Sequence, residues 1–242
     1  MAKTIKPAKT SKTPKSGQST QFARSPAAPQ FSTLKLDVTG RIATITLNRP
    51  ERLNAINGAM PGEIRAAADA ANADERVHVI VLQGAGKAFC AGYDLKEYAE
   101  GDKTNAYTQP MPWDPMIDYK FMKRNTEDFM SLWRSYKPSI ARVHGYAAAG
   151  GSDIATCCDF IVMEDKARIG YMPVRVWGCP SPAMWVYRIG AMRAKRMMLT
   201  GDLIDGKTAL EWGWRPLLRR SPNSTPLLKN WRTALPVCRK TS

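Results

Sequence analysis

Gly145-Tyr146-Ala147-Ala148-Ala149-Gly150-Gly151-Ser152-Asp153, continued by Ile154-Ala155-Thr156-Cys157-Cys158-Asp159, is the stretch on which the reading of this chain turns. The apolar run at 140–143 before it reads as a strand, and the residues from Ser152 to Cys158 read as a helix, so small residues alone make the junction. Glycines there let a ligand approach bare backbone N–H groups, and the unpaired donors of a helix start suit an oxygen carrying negative charge. Asp153 adds a carboxylate in the first turn. The chemistry implied is stabilisation of an oxyanion.

Working outward, residues 34–38 and 41–47 read as strands joined by a tight hairpin at Thr39-Gly40. An alanine-rich helix is expected over 59–73 and a buried strand over 77–83, ending at Gly84-Ala85-Gly86. The segment 101–115 is irregular and proline-containing, and a helix is expected from 116 to 136. Beyond the junction come a strand at 160–163 and helices over 183–189, 191–199 and 207–212. Strands separated by helices predict parallel pairing and an α/β fold.

The chain has 242 residues, is 44% apolar and carries a net charge of +15. That charge resembles a nucleic-acid binder's, but it is concentrated at the ends. Residues 1–30 hold six basic side chains and no acid, and residues 212–242 hold seven and no acid. Residues 31–211 are left with only +2, which argues against a basic binding face. Cys90, Cys157, Cys158, Cys179 and Cys238 lack metal-ligand spacing, and only His78 and His144 are present, so neither a zinc site nor a Ser/His/Asp triad is expected. With no apolar run long enough to span a bilayer and no secretory signal, the expectation is a cytoplasmic protein that engages neither membrane nor nucleic acid.

A second glycine junction, Lys87-Ala88-Phe89-Cys90-Ala91-Gly92-Tyr93-Asp94-Leu95, follows the strand at 77–83. One such junction most often serves close helix–sheet packing; two, with a carboxylate after the second, point to a site built from both. Together with Val143-His144-Gly145 through Asp159 they resemble the paired motifs of the crotonase superfamily, the enoyl-CoA hydratase/isomerase family. Asn48-Arg49-Pro50, Leu53-Asn54-Ala55, Ala167-Arg168-Ile169-Gly170 and Leu199-Thr200-Gly201 fall in the family's order. The resemblance covers residues 32 to 213.

The resemblance implies a ββα superhelix, or spiral, domain over 31–213 that binds acyl-CoA thioesters of fatty-acid or related metabolism. Coenzyme A would be part of the substrate, with no separate cofactor or metal. By position, the backbone N–H groups of Tyr93 and Gly150 would hold the thioester oxygen of an enolate, with Asp153 as the catalytic carboxylate. Arg52, Leu53, Ala55, Ala91, Tyr93, Asp94, Leu95 and Gly150 would line the CoA and substrate. A homotrimer or hexamer is the family's usual assembly.

Two departures narrow the chemistry. Asp153 falls where the family has its first glutamate, one methylene longer, and Pro173 occupies the second glutamate's place. Proline has no proton to exchange. Hydration by two carboxylates is therefore set against isomerisation, hydrolysis or dehalogenation with one, and Asp114, Asp118 or Tyr171 are candidates for a missing group. A catalytically impaired CoA-binding protein is the alternative of a different class.

The ends are read separately. Residues 1–30 are expected to be a disordered basic tail. From Trp214 onward the chain has the composition of no amphipathic helix, and one G/C-rich back-translation, read in the neighbouring frame, gives an acidic, strongly helical string. The expectation is a frameshift near codon 213, leaving 214–242 as an aberrant basic tail and the family's C-terminal helices missing or altered.

Overall fold

The computed structural model describes residues 30–98, 111–175 and 184–214, so the expectations for both tails and for most of the segment 101–115 lie outside the described residues. The chain begins with the hairpin β1 (Leu34–Thr39) and β2 (Ile42–Leu47), whose turn places Gly40 at φ 59°. Ala43, Ile45 and Leu47 are fully buried while the residues between them are partly exposed, so one face of β2 meets the core. Helix α1 (Met60–Ala73) follows, burying Met60, Ile64, Ala67, Ala68 and Ala71 along one stripe. Strand β3 (Val79–Gly84) is buried on both faces from Val79 to Leu82, as expected of a central strand in a parallel sheet.

A short helix α2 (Leu95–Tyr98) precedes α3 (Pro115–Trp133), which packs on α1. Asp114 caps α3 by accepting from the Met116 N–H at 2.8 Å, with Pro115 at the first position. Strand β4 (Ser139–Val143) leads through β5 (Tyr146–Ala148) into α4 (Gly150–Cys157), and then come β6 (Phe160–Met163) and β7 (Arg168–Gly170). The described chain closes with α5 (Met184–Thr200), interrupted at Gly190 (φ 75°), then β8 (Leu203–Asp205) and α6 (Gly206–Glu211).

The strands form a five-stranded sheet ordered β1-β2-β3-β4-β6 and a three-stranded sheet ordered β5-β7-β8. From β2 through β6 every pairing is parallel, as the alternation of strands and helices predicts, and the hairpin pair is antiparallel. The smaller sheet is a finding the sequence pattern did not provide: its strands have three residues each, too few for periodicity to register. Helix α4 also starts at Gly150, two residues before the expected Ser152, so both glycines lie inside its first turn.

Trp214, where the aberrant tail was expected to begin, is buried with its ring centroid 5.9 Å from that of Trp185, and its backbone N–H donates to the Ala209 carbonyl. Among the described residues no helix is long and apolar enough to cross a membrane, and none form a cluster of three metal-ligating side chains.

Candidate active site

The two glycine junctions lie side by side. The Phe89 and Cys90 N–H groups donate to the carbonyls of His144 and Tyr146, and the Ala148 N–H donates back to Cys90, each at 3.0 Å. On its other flank the same segment pairs with residues 53–56: Ala91 N–H to Leu53 at 3.0 Å, Ile56 N–H to Gly92 at 2.8 Å and Asp94 N–H to Ile56 at 2.9 Å. Ile56 makes both bonds of its bridge to Tyr93, so the Tyr93 N–H itself points away from it. A β-carbon added to Gly92 (φ 98°) would lie 2.8 Å from the Ala149 β-carbon and 3.5 Å from the Gly150 nitrogen. Only glycine allows the loops to approach this closely.

On the opposite face, Ala149 precedes α4 at φ 51°, ψ −126°, a backbone state that costs an L-residue about 1–3 kcal/mol. The strain is held from both sides. Its N–H donates to Gly170 at 3.0 Å, while its carbonyl accepts from the Ser152 N–H at 2.9 Å and the Ser152 hydroxyl at 2.6 Å. No side chain caps α4 at Ala149, and among the backbone bonds of the described residues neither the Gly150 nor the Tyr93 N–H is a donor. Asp153 follows on the same turn and is 2% exposed.

The loop at 49–56 is fixed by polar side chains. Asn54, fully buried at φ 56°, accepts from the Arg49 N–H at 2.9 Å and donates to the carbonyls of Ala85 and Ala88, both at 2.8 Å. The Arg49 guanidinium donates to the Ala55 carbonyl and pairs with the Asp94 carboxylate at 2.9 Å. Arg52, Leu53 and Leu95 are thus exposed on adjoining segments, with Ala55 and Asp94 buried beneath and Ala91 between. Of the residues proposed to line a substrate, Asp94 has its carboxylate committed to Arg49 and to the Lys96 N–H. Asp114 caps α3, Asp118 accepts from the Trp113 indole at 2.9 Å, and Tyr171 is buried just after β7. Pro173 lies in the 3-10 turn Met172–Arg175.

The electrostatics between the loops are those of a dry site. Burial pushes the Cys90 thiol up to about 12, with the charge of Asp153 adding to it against the opposing influence of the Gly92 backbone and Arg49. Burial likewise raises the Tyr93 phenol above its ordinary value; an Asn125 hydrogen bond opposes the shift and the Asp153 charge reinforces it. Cys157 and Cys158 are raised too, chiefly by burial, so none of the three described cysteines is a nucleophile at neutral pH.

Sequence reasoning assigned no role to the Arg49, Asn54 and Asn125 side chains. Each carried a signal: Arg49 and Asn54 fall within the matching motifs, and Asn125 occupies the stripe shared by Phe129 and Leu132 on α3, where a polar residue has to be buried.

The model of the family described as enoyl-CoA hydratase/isomerase matches residues 37–216. The chain belongs to that family, within the crotonase superfamily. An enoyl-CoA hydratase structure from Mycobacterium smegmatis shares 41% identity, covering 85% of this chain and 70% of its own, with a TM-score of 0.72. Among curated relatives, a probable enoyl-CoA hydratase of Rhizobium meliloti is 33% identical over 74% of this chain and 65% of its own length. A probable mitochondrial enoyl-CoA hydratase of Dictyostelium discoideum is 31% identical over 76% of this chain and 62% of its own. The chain thus spans less than two thirds of the length of these last two relatives.

Proposed function

We propose that this family member binds an acyl-CoA thioester and stabilises its enolate between the Tyr93 and Gly150 N–H groups, with Asp153 as the catalytic base. The observation that carries the reading is a pair of touching loops whose Tyr93 and Gly150 N–H groups donate to no backbone carbonyl among the described residues, one of them at a helix start, with a buried carboxylate in the same turn. As negative charge moves onto the thioester oxygen, fixed donors strengthen without reorganising, each contributing about 3–4 kcal/mol in the transition state. The exposed rim of Arg52, Leu53 and Leu95, with the half-buried Ala91, would take the CoA portion. Hydration of an enoyl-CoA is the reaction supported by the names of the relatives.

Pro173 favours a second reading, migration of the double bond, which one carboxylate can perform by removing and returning the same proton. The family's usual homotrimeric or hexameric assembly belongs to the same proposal. Comparing crotonyl-CoA with a 3-enoyl-CoA separates hydration from migration. In either case Asp153→Asn is expected to lower turnover about 10²–10⁴-fold with thioester affinity retained. Turnover of both substrates unaffected by that substitution sinks the assignment of Asp153.

A further inference from the structure

Tyr93 has a side chain as well as a backbone N–H. Its ring lies against Gly150: a β-carbon there would stand 2.9 Å from Cε2 and 3.1 Å from Cδ2. Tyr98 meets the ring edge-on, with centroids 5.6 Å apart, and Phe121 packs behind Tyr98 at 5.9 Å. The hydroxyl end reaches α3, where Asn125, 1% exposed, points its amide Nδ2 at the phenol oxygen from 3.4 Å. An amide donor occupies the oxygen's lone pair and leaves the phenol's own hydrogen to be given elsewhere. That contact strengthens as phenolate charge develops.

Resting on the reading of Tyr93 and Gly150 as the oxyanion donors, we infer that the Tyr93 hydroxyl is a further catalytic group, the proton donor to the substrate α-carbon that works with Asp153. Pro173 leaves this task without a carboxylate, and the Cys90 thiol is fully buried. In hydration, water loses a proton to Asp153 as its oxygen bonds to the β-carbon, and the π electrons move to the thioester oxygen held by the two N–H groups. The carbonyl re-forms as the α-carbon takes the proton of the Tyr93 hydroxyl. The electron pair of that O–H bond stays on the phenolate, which Asp153 reprotonates, so the net change is addition of one water. The raised phenol keeps Tyr93 protonated between turnovers, and the Asn125 amide steadies the transient phenolate.

The test is Tyr93→Phe in the full chain, read by crotonyl-CoA hydration, by exchange of the α-hydrogens of butyryl-CoA in D2O and by calorimetric thioester affinity. Expected is a fall in kcat of about 10²–10⁴-fold with a parallel loss of exchange, KM staying within about threefold. A fluorinated tyrosine at position 93 keeps the shape and lowers the phenol pKa. It should move the alkaline limb of kcat to lower pH, against a background of the other titratable groups facing the ring: Asp153 from α4, Cys90 from its own loop and Tyr98 from α2. Parental kcat and exchange in Tyr93→Phe, a raised KM with unchanged kcat, or an unmoved alkaline limb each overturn the inference while leaving the oxyanion reading standing. A parent chain that binds no acyl-CoA thioester overturns that reading and this inference with it.

Discussion

On the side of the site formed by residues 49–56 and 88–94, position is set by an ionised pair and a buried amide, whereas on the side formed by residues 145–159 it is set by missing side chains and by backbone bonds. Arg49, Asp94 and Asn54 reach across loops and can be removed one atom group at a time. Gly145 and Gly151 act by leaving room, since a β-carbon on either would overlap backbone of the facing loop, whereas one on Gly150 would meet the side-chain ends of Ile56 and Tyr93. The first side tolerates chemical repair by a partner substitution; the second tolerates none, because what it needs is space. On the proposed function both would hold two N–H groups where 1 Å of displacement costs about a hundredfold in rate.

The sharpest way to break the comparison is on the polar side. Arg49→Leu leaves the Asp94 carboxylate, whose side chain is 8% exposed, without its cation. Breaking such a pair from one end costs about 3–5 kcal/mol, and replacing both partners by apolar groups restores much of it. Urea unfolding should therefore show Arg49→Leu well below the parent and Arg49→Leu/Asp94→Leu between the two. A double variant no better than the single one removes the distinction between the two sides, because the pair would then be as irreplaceable as the glycines.

Gly151→Ala probes the other side. The new methyl would run into the Cys90 carbonyl and lie 2.8 Å from the Cys90 β-carbon, both anchored by the bonds to β5. Backbone has to move, at a cost of about 1–3 kcal/mol. Thermal unfolding should fall accordingly, and turnover should fall more than stability alone explains as α4 shifts from the Tyr93 loop. Cys90→Gly in the same chain recovers little, since the obstacle is a carbonyl oxygen that every residue carries.

How much of this the sequence disclosed follows the same division. The hairpin and α1 were legible because a buried stripe recurs at the strand or helix period, β3 and β6 because each is a short apolar run, and α3 because it is long. The two junctions were legible as motifs, and their adjacency followed from the family resemblance. The strands β5, β7 and β8 were not legible, being three residues long and, in β5, made mainly of alanine. Nor was the strained Ala149, because a positive φ there has no glycine to announce it. Asn125 was readable as a polar residue on an apolar stripe, but what it faces depends on how Tyr93 turns, a tertiary fact.

The smallest expected effect comes from the far end of α4, where the two modes of anchoring meet. Arg188 on α5 reaches that end and donates to the carbonyls of Thr156 at 2.9 Å, Asp159 at 3.1 Å and Cys158, while its guanidinium stacks 4.9 Å from the centroid of Trp133. These are among the carbonyls a helix C-terminus leaves open, and a cation there also faces the negative end of the helix dipole. Arg188 is partly exposed, so water replaces much of what Arg188→Ala removes, and the loss should be about 1–2 kcal/mol in chemical unfolding. The consequence for the site is separable. Helix α4 has eight residues, so an anchor at its C-terminus fixes the direction of the Gly150 N–H at the other end. If the backbone bonds at Ala149 suffice to orient that N–H, Arg188→Ala lowers stability and leaves kcat near parental. If kcat falls tenfold or more at a temperature where the variant is fully folded, the glycine side also depends on a distant ionised side chain, and the two sides differ only in how far away that anchor lies.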